Sequence, residues 1–163
     1  MQTNPDTRAT NKEIVRRFIG GIVTDPSAAA VRATMAEDAL CFFELAGGYS
    51  PTLEAFTAPT QWTREQMVEM QFAFQKQLTA PYRFEVRQLV AEDGHVVADV
   101  IGRGVSAATG RVYEQRYSFH FVVRDGLIRE GRVYQDTLHL WDIWMHSAPR
   151  DFFQDLPKAQ TCR

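Results

Sequence analysis

The residues best suited to chemistry lie in one stretch, Leu127–Trp144, which reads LIREGRVYQDTLHLWDIW. Its first half alternates as a strand does. Glu130, Arg132, Tyr134 and Asp136 fall on one face, with Gly131, Val133 and Gln135 on the other. Its second half gathers His139, Trp141, Asp142 and Trp144, with His146 just beyond. A Tyr-x-Asp pair leading into a Trp/His cluster suits proton transfer beside an aromatic ligand. Enclosed by aromatics, the Asp136 carboxyl rises in pKa and becomes a general acid or base near neutrality. Tyr134, two residues away, offers a hydroxyl to a substrate oxygen or to the carboxylate. The structural alternatives are core packing for Tyr134 and Trp141, and either a capping role for Asp136 or its pairing with Arg132 or Arg116.

His120 stands in the preceding strand pattern, YSFHFVV, between Phe119 and Phe121. Imidazole is the side chain best matched to proton transfer at neutral pH, though a histidine among phenylalanines is often structural. Its face depends on the hairpin at Asp125-Gly126. A two-residue turn sets His120 opposite Gly131, away from Asp136, whereas a three-residue turn with a bulge at Gly126 shifts the parity and brings it to the Asp136 side. Asp99 and Arg103 share a face with Val97 and Ile101. Arg103 either orients a substrate oxyanion or pairs with Asp99 or Glu85. Glu44 closes an aromatic run that contains Phe42, and Tyr49 and Trp62 flank a long loop, where they line a pocket mouth or anchor the loop. Phe42, Tyr117 and Trp141 add aromatic surface for substrate binding. His139 and His146 are expected at a rim or interface. His139 and Asp136 lack a convincing third ligand, so no metal site is expected.

These residues need elements to hold them. Residues 1–9 read as disordered. Thr10 and Glu13 form a capping-box pattern, followed by Ile14, Val15, Phe18, Ile19 and Ile22 at helical spacing. Asp25-Pro26 opens a short helix over Ala28–Met35, which Ala36-Glu37-Asp38 breaks. Ala39–Leu45 has strand length and composition, and a loop runs from Gly47 to about Pro59. Thr63 and Gln66 cap a helix whose stripe of Met67, Met70 and Phe74, with Phe72 beside it, serves as core and pocket floor. Arg83–Ala91, His95–Val105, Arg111–Val123 and the stretch from Leu127 read as four long strands in an antiparallel meander. Asp93-Gly94 and Asp125-Gly126 are the hairpin turns. Helices first and strands after predict an α+β fold with the helices on one face of a curved antiparallel sheet. One domain is expected over residues 10–146, followed by a C-terminal extension, 147–163, in which Phe152 and Phe153 favour docking over disorder.

Bulk properties remove several function classes. The 163 residues carry a formal net charge of −2 without a basic block, so nucleic acid is not an expected partner. No apolar run is long enough for a bilayer span, and the polar N-terminus does not read as a secretory signal. Cys41 and Cys162 have neither metal-ligand nor CxxC spacing, which points to a reducing cytoplasm. Eleven Phe and three Trp suit a bulky core or an apolar pocket.

The segments MAEDALCFFE, WTREQMVEMQFAF and VVRDGLIREGRVYQDT, in this order, resemble the SnoaL-like branch of the nuclear transport factor 2 (NTF2)-like superfamily over residues 10–145. The resemblance implies a cone-shaped fold, with a bent sheet wrapped around a deep apolar pocket, and a homodimer. It also implies cofactor-independent acid–base chemistry, as in ketosteroid isomerase, scytalone dehydratase, polyketide cyclases and aryl formaldehyde lyases. Other superfamily members only bind or transport, so fold alone does not decide function. Asp136 matches the last-strand aspartate of the cyclases and of limonene epoxide hydrolase, and Glu44 lies near the isomerase base. The Asp99/Arg103 spacing is four and its order is reversed relative to the epoxide hydrolases, which argues against epoxide hydrolysis. The expected function is a lyase acting by elimination or retro-aldol cleavage on a hydrophobic aromatic or polycyclic small molecule. Asp136, His120 and Tyr134 are its expected catalytic groups. The alternatives are an isomerase or cyclase, or a non-catalytic module resembling a dioxygenase small subunit.

Overall fold

In the computed structural model, the structure describes residues 5–22, 24–25, 27–45, 61–136, 139–140 and 142–143; for residues 5, 43–45 and 70 only the backbone is described. The elements run α1 (Pro5–Gly21), α2 (Ala29–Thr34), β1 (Met35–Leu45), β2 (Gln61–Thr63), α3 (Arg64–Gln75), β3 (Arg83–Glu92), β4 (His95–Val105), β5 (Val112–Arg124) and β6 (Leu127–Gln135). They form a mixed α+β fold with one curved six-stranded sheet in the order β2-β1-β6-β5-β4-β3.

The meander follows from local chemistry. Asp93-Gly94 and Asp125-Gly126 all have positive φ (46° and 82°, then 53° and 75°), the backbone sign a two-residue hairpin turn needs to match strand twist. β3, β4, β5 and β6 therefore pair in sequence, each antiparallel to the next. The sheet extends beyond the expected antiparallel meander at the β6 edge, where the pairing is parallel. β1 lies parallel to β6, with Cys41 beside Gly131 and Phe42 beside Arg132. The two strands are far apart in sequence, so no hairpin dictates their direction.

The element boundaries move at three places. α1 begins at Pro5, so residues 5–9, expected to be disordered, are helical. Thr10 lies inside the helix, its hydroxyl donating to the Asp6 carbonyl at 2.9 Å. Ala36-Glu37-Asp38, expected to end the second helix, does follow its end and already belongs to β1, which absorbs an irregularity as a register shift between Met35 and Leu40. β2 is a short strand, not expected from the sequence, between the loop expected up to about Pro59 and α3, and Trp62 pairs with Cys41. The capping box at Thr63 forms as expected: its side chain accepts from the Gln66 amide at 3.3 Å, and the Gln66 side chain accepts from the Thr63 amide at 3.0 Å.

The helices cover one face of the sheet. Val15, Phe18 and Ile19 from α1 and Met67 and Val68 from α3 are buried together with Val96, Ala98 and Val100 of β4, Phe119 and Phe121 of β5 and Ile128 of β6. Phe18 meets Phe121 edge-on, with ring centroids 5.3 Å apart. Cys41 Sγ donates to Met67 Sδ at 3.4 Å, joining β1 to α3. Burial pushes the Cys41 thiol up to about 12, so it behaves as an apolar core group. Among the described residues no helix is long and apolar enough to cross a membrane.

Candidate active site

A single extra residue decides which face the expected catalytic groups occupy. The β5–β6 turn is the two-residue type, with Arg124 opposite Leu127. One step later Val123 faces Ile128 while Val122 faces Glu130, so Arg129 is a bulge and the parity changes. His120 consequently lies opposite Arg132, and its ring stands 4.9 Å from that of Tyr134. His120 and Tyr134, two of the three expected catalytic groups, thus lie together on the sheet face that the helices leave open. His120 is exposed, with Nε2 hydrogen-bonded to Ser118 Oγ at 2.9 Å, and Tyr134 is 40% exposed.

The expectation that Asp136 is enclosed by aromatics is corrected. It is exposed, just past the end of β6, and Oδ1 accepts from the His139 backbone amide at 3.0 Å. Its carbonyl accepts from the Leu140 amide at 3.2 Å. Asp136 thus caps the turn that follows β6, the structural alternative that the sequence also allowed. Arg103 is likewise exposed and ion-paired with Glu85 and Glu114, both at 2.7 Å. Phe42 lies on the open face beneath the Arg132 guanidinium, 4.5 Å from the ring centroid. Glu44 holds the register position beside Tyr134. Tyr49 and Trp141 lie outside the described residues, as do His146 and the extension 147–163.

The covered face holds a different constellation. Along β5, Tyr113, Gln115, Tyr117, Phe119, Phe121 and Val123 alternate inward. Tyr82, immediately before β3, joins them because Gly102 of β4 leaves room: a Cβ there would overlap the Tyr82 hydroxyl and ring. The three tyrosine hydroxyls form a chain, Tyr82 to Tyr117 at 3.0 Å and Tyr117 to Tyr113 at 3.2 Å. Phe84 packs edge-on against Tyr82 at 5.2 Å, Tyr117 at 5.5 Å and Phe119 at 5.8 Å. Burial holds all three phenols well above the ordinary tyrosine pKa, and at Tyr113 the negative charge of nearby Asp136 acts in the same direction. They therefore stay protonated, and each keeps an O–H able to donate a hydrogen bond in a water-poor setting.

The turn after β6 folds back over this chain. The His139 ring stacks on Tyr113, with centroids 5.5 Å apart and planes at 22°. Arg111 grips the turn through the Asp142 carboxylate at 2.7 Å and the Asp142 carbonyl at 2.9 Å, and Thr109 Oγ1 donates to the Ile143 carbonyl at 2.9 Å. Among the described residues no group of three His, Cys, Asp or Glu is placed to hold a metal ion. Of the expected binding residues, Tyr117 is central to this interior and Trp62, opposite Cys41, packs against its core.

Reasoning from sequence missed Tyr82, Tyr113, Gln115 and His139 as members of a common site. The period-two alternation of β5 carried a signal for two of them, since 113 and 115 share parity with 117. Nothing local marks Tyr82 or His139.

The sequence matches the SnoaL-like domain family over residues 15–131, more than two thirds of the chain. The fold is similar to that of a candidate SnoaL-like polyketide cyclase from Jannaschia sp. CCS1. The TM-score is 0.72 at 18% identity, covering 92% of this chain and 100% of that one. It is also similar to IdmH, a candidate polyketide cyclase from Streptomyces antibioticus, with TM-score 0.67, 18% identity and coverage of 83% and 99%. A third similar structure is AclR, a candidate hydroxylase from Streptomyces galilaeus, with TM-score 0.67, 14% identity and coverage of 93% and 91%. At such identities these likenesses establish the fold alone. Among curated proteins no match is found. The match over most of the chain, the helix-covered curved sheet and the structural neighbours lead to one conclusion: the chain belongs to the SnoaL-like domain family of the NTF2-like fold.

Proposed function

We propose that this protein is a cofactor-independent acid–base enzyme acting on an aromatic or polycyclic carbonyl compound, by cyclisation or isomerisation, or by elimination or retro-aldol cleavage. All of these reactions pass through an enol or enolate, so they share one demand: donors aimed at an oxygen that gains negative charge. The observation that carries the reading is the Tyr82–Tyr117–Tyr113 hydroxyl chain, kept protonated by burial among aromatic rings. The cyclase outcome gains support from neighbours described as candidate polyketide cyclases. Asp136 acts in this proposal from the rim, as the cap of the turn that covers the site, and His120 and Tyr134 belong to the open face. That face, with Val97, Val112 and Tyr134 exposed, is the proposed homodimer contact, which sedimentation equilibrium tests directly. A cytoplasmic setting is part of the reading, supported by the free buried thiol of Cys41.

The test uses 2-tetralone, an aromatic ketone whose enolisation is read as deuterium uptake from D2O by NMR, and 2-naphthol, its inert enol mimic. The protein is expected to bind 2-naphthol and to accelerate exchange over buffer. Tyr117→Phe is expected to lower the acceleration by about 10²-fold, the usual loss when one oxyanion donor is removed. Exchange no faster than in buffer would remove the enzymatic reading.

A further inference from the structure

Two side-chain atoms around the tyrosine chain are sealed from solvent and have no hydrogen-bond partner among the described residues: His139 Nε2 and Gln115 Oε1. Native interiors leave few such atoms, because each has given up water without gaining a partner in return. Both belong to one neighbourhood. Gln115 is 2% exposed, lies on the same strand face between Tyr113 and Tyr117, and pairs across the sheet with Gly102, over which the Tyr82 hydroxyl sits. Its amide nitrogen is spent on the Arg116 carbonyl at 2.9 Å, which leaves the oxygen as an acceptor. The His139 ring lies flat against Tyr113, and its backbone is fixed by the Asp136 cap.

We propose that His139 is the proton acceptor of this interior, and that with Gln115 it selects a ligand carrying a hydroxyl together with an enolisable carbonyl group. The inference rests on the enzymatic reading above and goes beyond it by naming the base and the ligand's donor pattern. With its own proton on Nδ1, the imidazole has a lone pair on Nε2. That pair takes a proton from the carbon beside the ligand carbonyl. The C–H electrons become the C=C bond of an enolate, and the carbonyl π pair moves onto oxygen, where a tyrosine hydroxyl donates to it. The imidazolium then returns the proton to carbon, or delivers it to a departing hydroxyl in an elimination. A ligand hydroxyl donating to Gln115 Oε1 satisfies the second open acceptor. An aromatic ketone with no hydroxyl leaves that acceptor unpaired and binds more weakly.

The experiment compares the full-length chain with His139→Gln and Asp136→Asn, using 2-tetralone exchange for turnover and 2-naphthol for binding. His139→Gln is expected to bind 2-naphthol within a few fold of wild type and to lose exchange by about 10²-fold or more, the usual size of a general-base contribution. Asp136→Asn keeps an acceptor for the cap and is expected to lose much less. Exchange in His139→Gln at the wild-type rate, with wild type active, overturns the assignment of His139 while leaving the enzymatic reading intact. Wild-type protein that shows no exchange overturns the enzymatic reading. In that case, or if the variant fails to fold, the nitrogen NMR signal of His139 Nε2 in wild-type protein decides: a shift on adding 2-naphthol supports the site, and an unmoved signal overturns it.

Discussion

Replacing Tyr117 with phenylalanine removes one oxygen from the centre of the hydroxyl chain and leaves the ring in place. That oxygen takes part in two hydrogen bonds, to Tyr82 at 3.0 Å and to Tyr113 at 3.2 Å. A buried neutral hydrogen bond contributes about 1 kcal/mol net, so Tyr117→Phe is expected to cost about 2 kcal/mol. Tyr82→Phe removes only the first bond and is expected to cost about 1 kcal/mol. Ring packing does not blur the comparison, because the stack on Phe119 at 5.2 Å and the edge contact with Phe84 at 5.5 Å involve carbon atoms that both residues share. The double variant Tyr82→Phe/Tyr117→Phe should be less destabilised than the sum, because the second change removes a hydroxyl that the first had already orphaned. The expected coupling is about 1 kcal/mol. Urea unfolding monitored by circular dichroism measures all three variants. For a domain of this size each kcal/mol also lowers the melting temperature by roughly 2–4 °C. If Tyr117→Phe proves no more costly than Tyr82→Phe, or the double variant is additive, the three hydroxyls do not act as a chain and the oxyanion argument loses its basis.

Two further outcomes follow from the same interior. Gly102→Ala forces Tyr82, which has 0% exposure, out of its seat, and should cost about 2–4 kcal/mol by overpacking and the loss of the Tyr82–Tyr117 bond; denaturant unfolding reads it, and a loss below about 0.5 kcal/mol would show that Tyr82 moves freely. Stability should also fall at alkaline pH. Each of Tyr82, Tyr113, Tyr117 and Cys41 has a raised pKa in the folded state, so its contribution is complete below the unfolded pKa and is lost as pH climbs towards the folded value. The decline therefore starts above about 9 for the thiol and about 10 for the phenols. A phenolate absorbance titration should find that Tyr82, Tyr113 and Tyr117 ionise only as the circular dichroism signal collapses. Ionisation of all five tyrosines near pH 10 with the fold intact would contradict the burial of these three.

Much of this fold is written in short-range chemistry. Asp93-Gly94 and Asp125-Gly126 specify tight turns because few other residues accept positive φ at both turn positions, and that is enough to predict the meander of β3 to β6. Thr63 and Gln66 specify the start of α3 because each supplies the acceptor that the other's amide lacks. The inward alternation of Tyr113, Gln115, Tyr117 and Phe119 is legible because strand side chains alternate with period two. The family resemblance also rested on contiguous segments and holds over residues 15–131.

Tertiary structure decided how these pieces combine. The Arg129 bulge reverses parity after the turn and carries His120 to the Tyr134 side; one extra residue in a ladder moves every later side chain to the other face, and composition does not announce it. The parallel pairing of β1 with β6 joins segments that no turn connects. Tyr82 enters the interior only because Gly102, distant in sequence, leaves a vacancy above the sheet. His139 reaches Tyr113 only because Arg111 and Thr109 pull the turn after β6 back across β5. The sequence alone thus determined the turns, caps, alternation and family, each set by neighbours within a few residues. The identity of the enclosed polar groups depends on contacts between residues far apart in the chain, and only the folded structure brings them together.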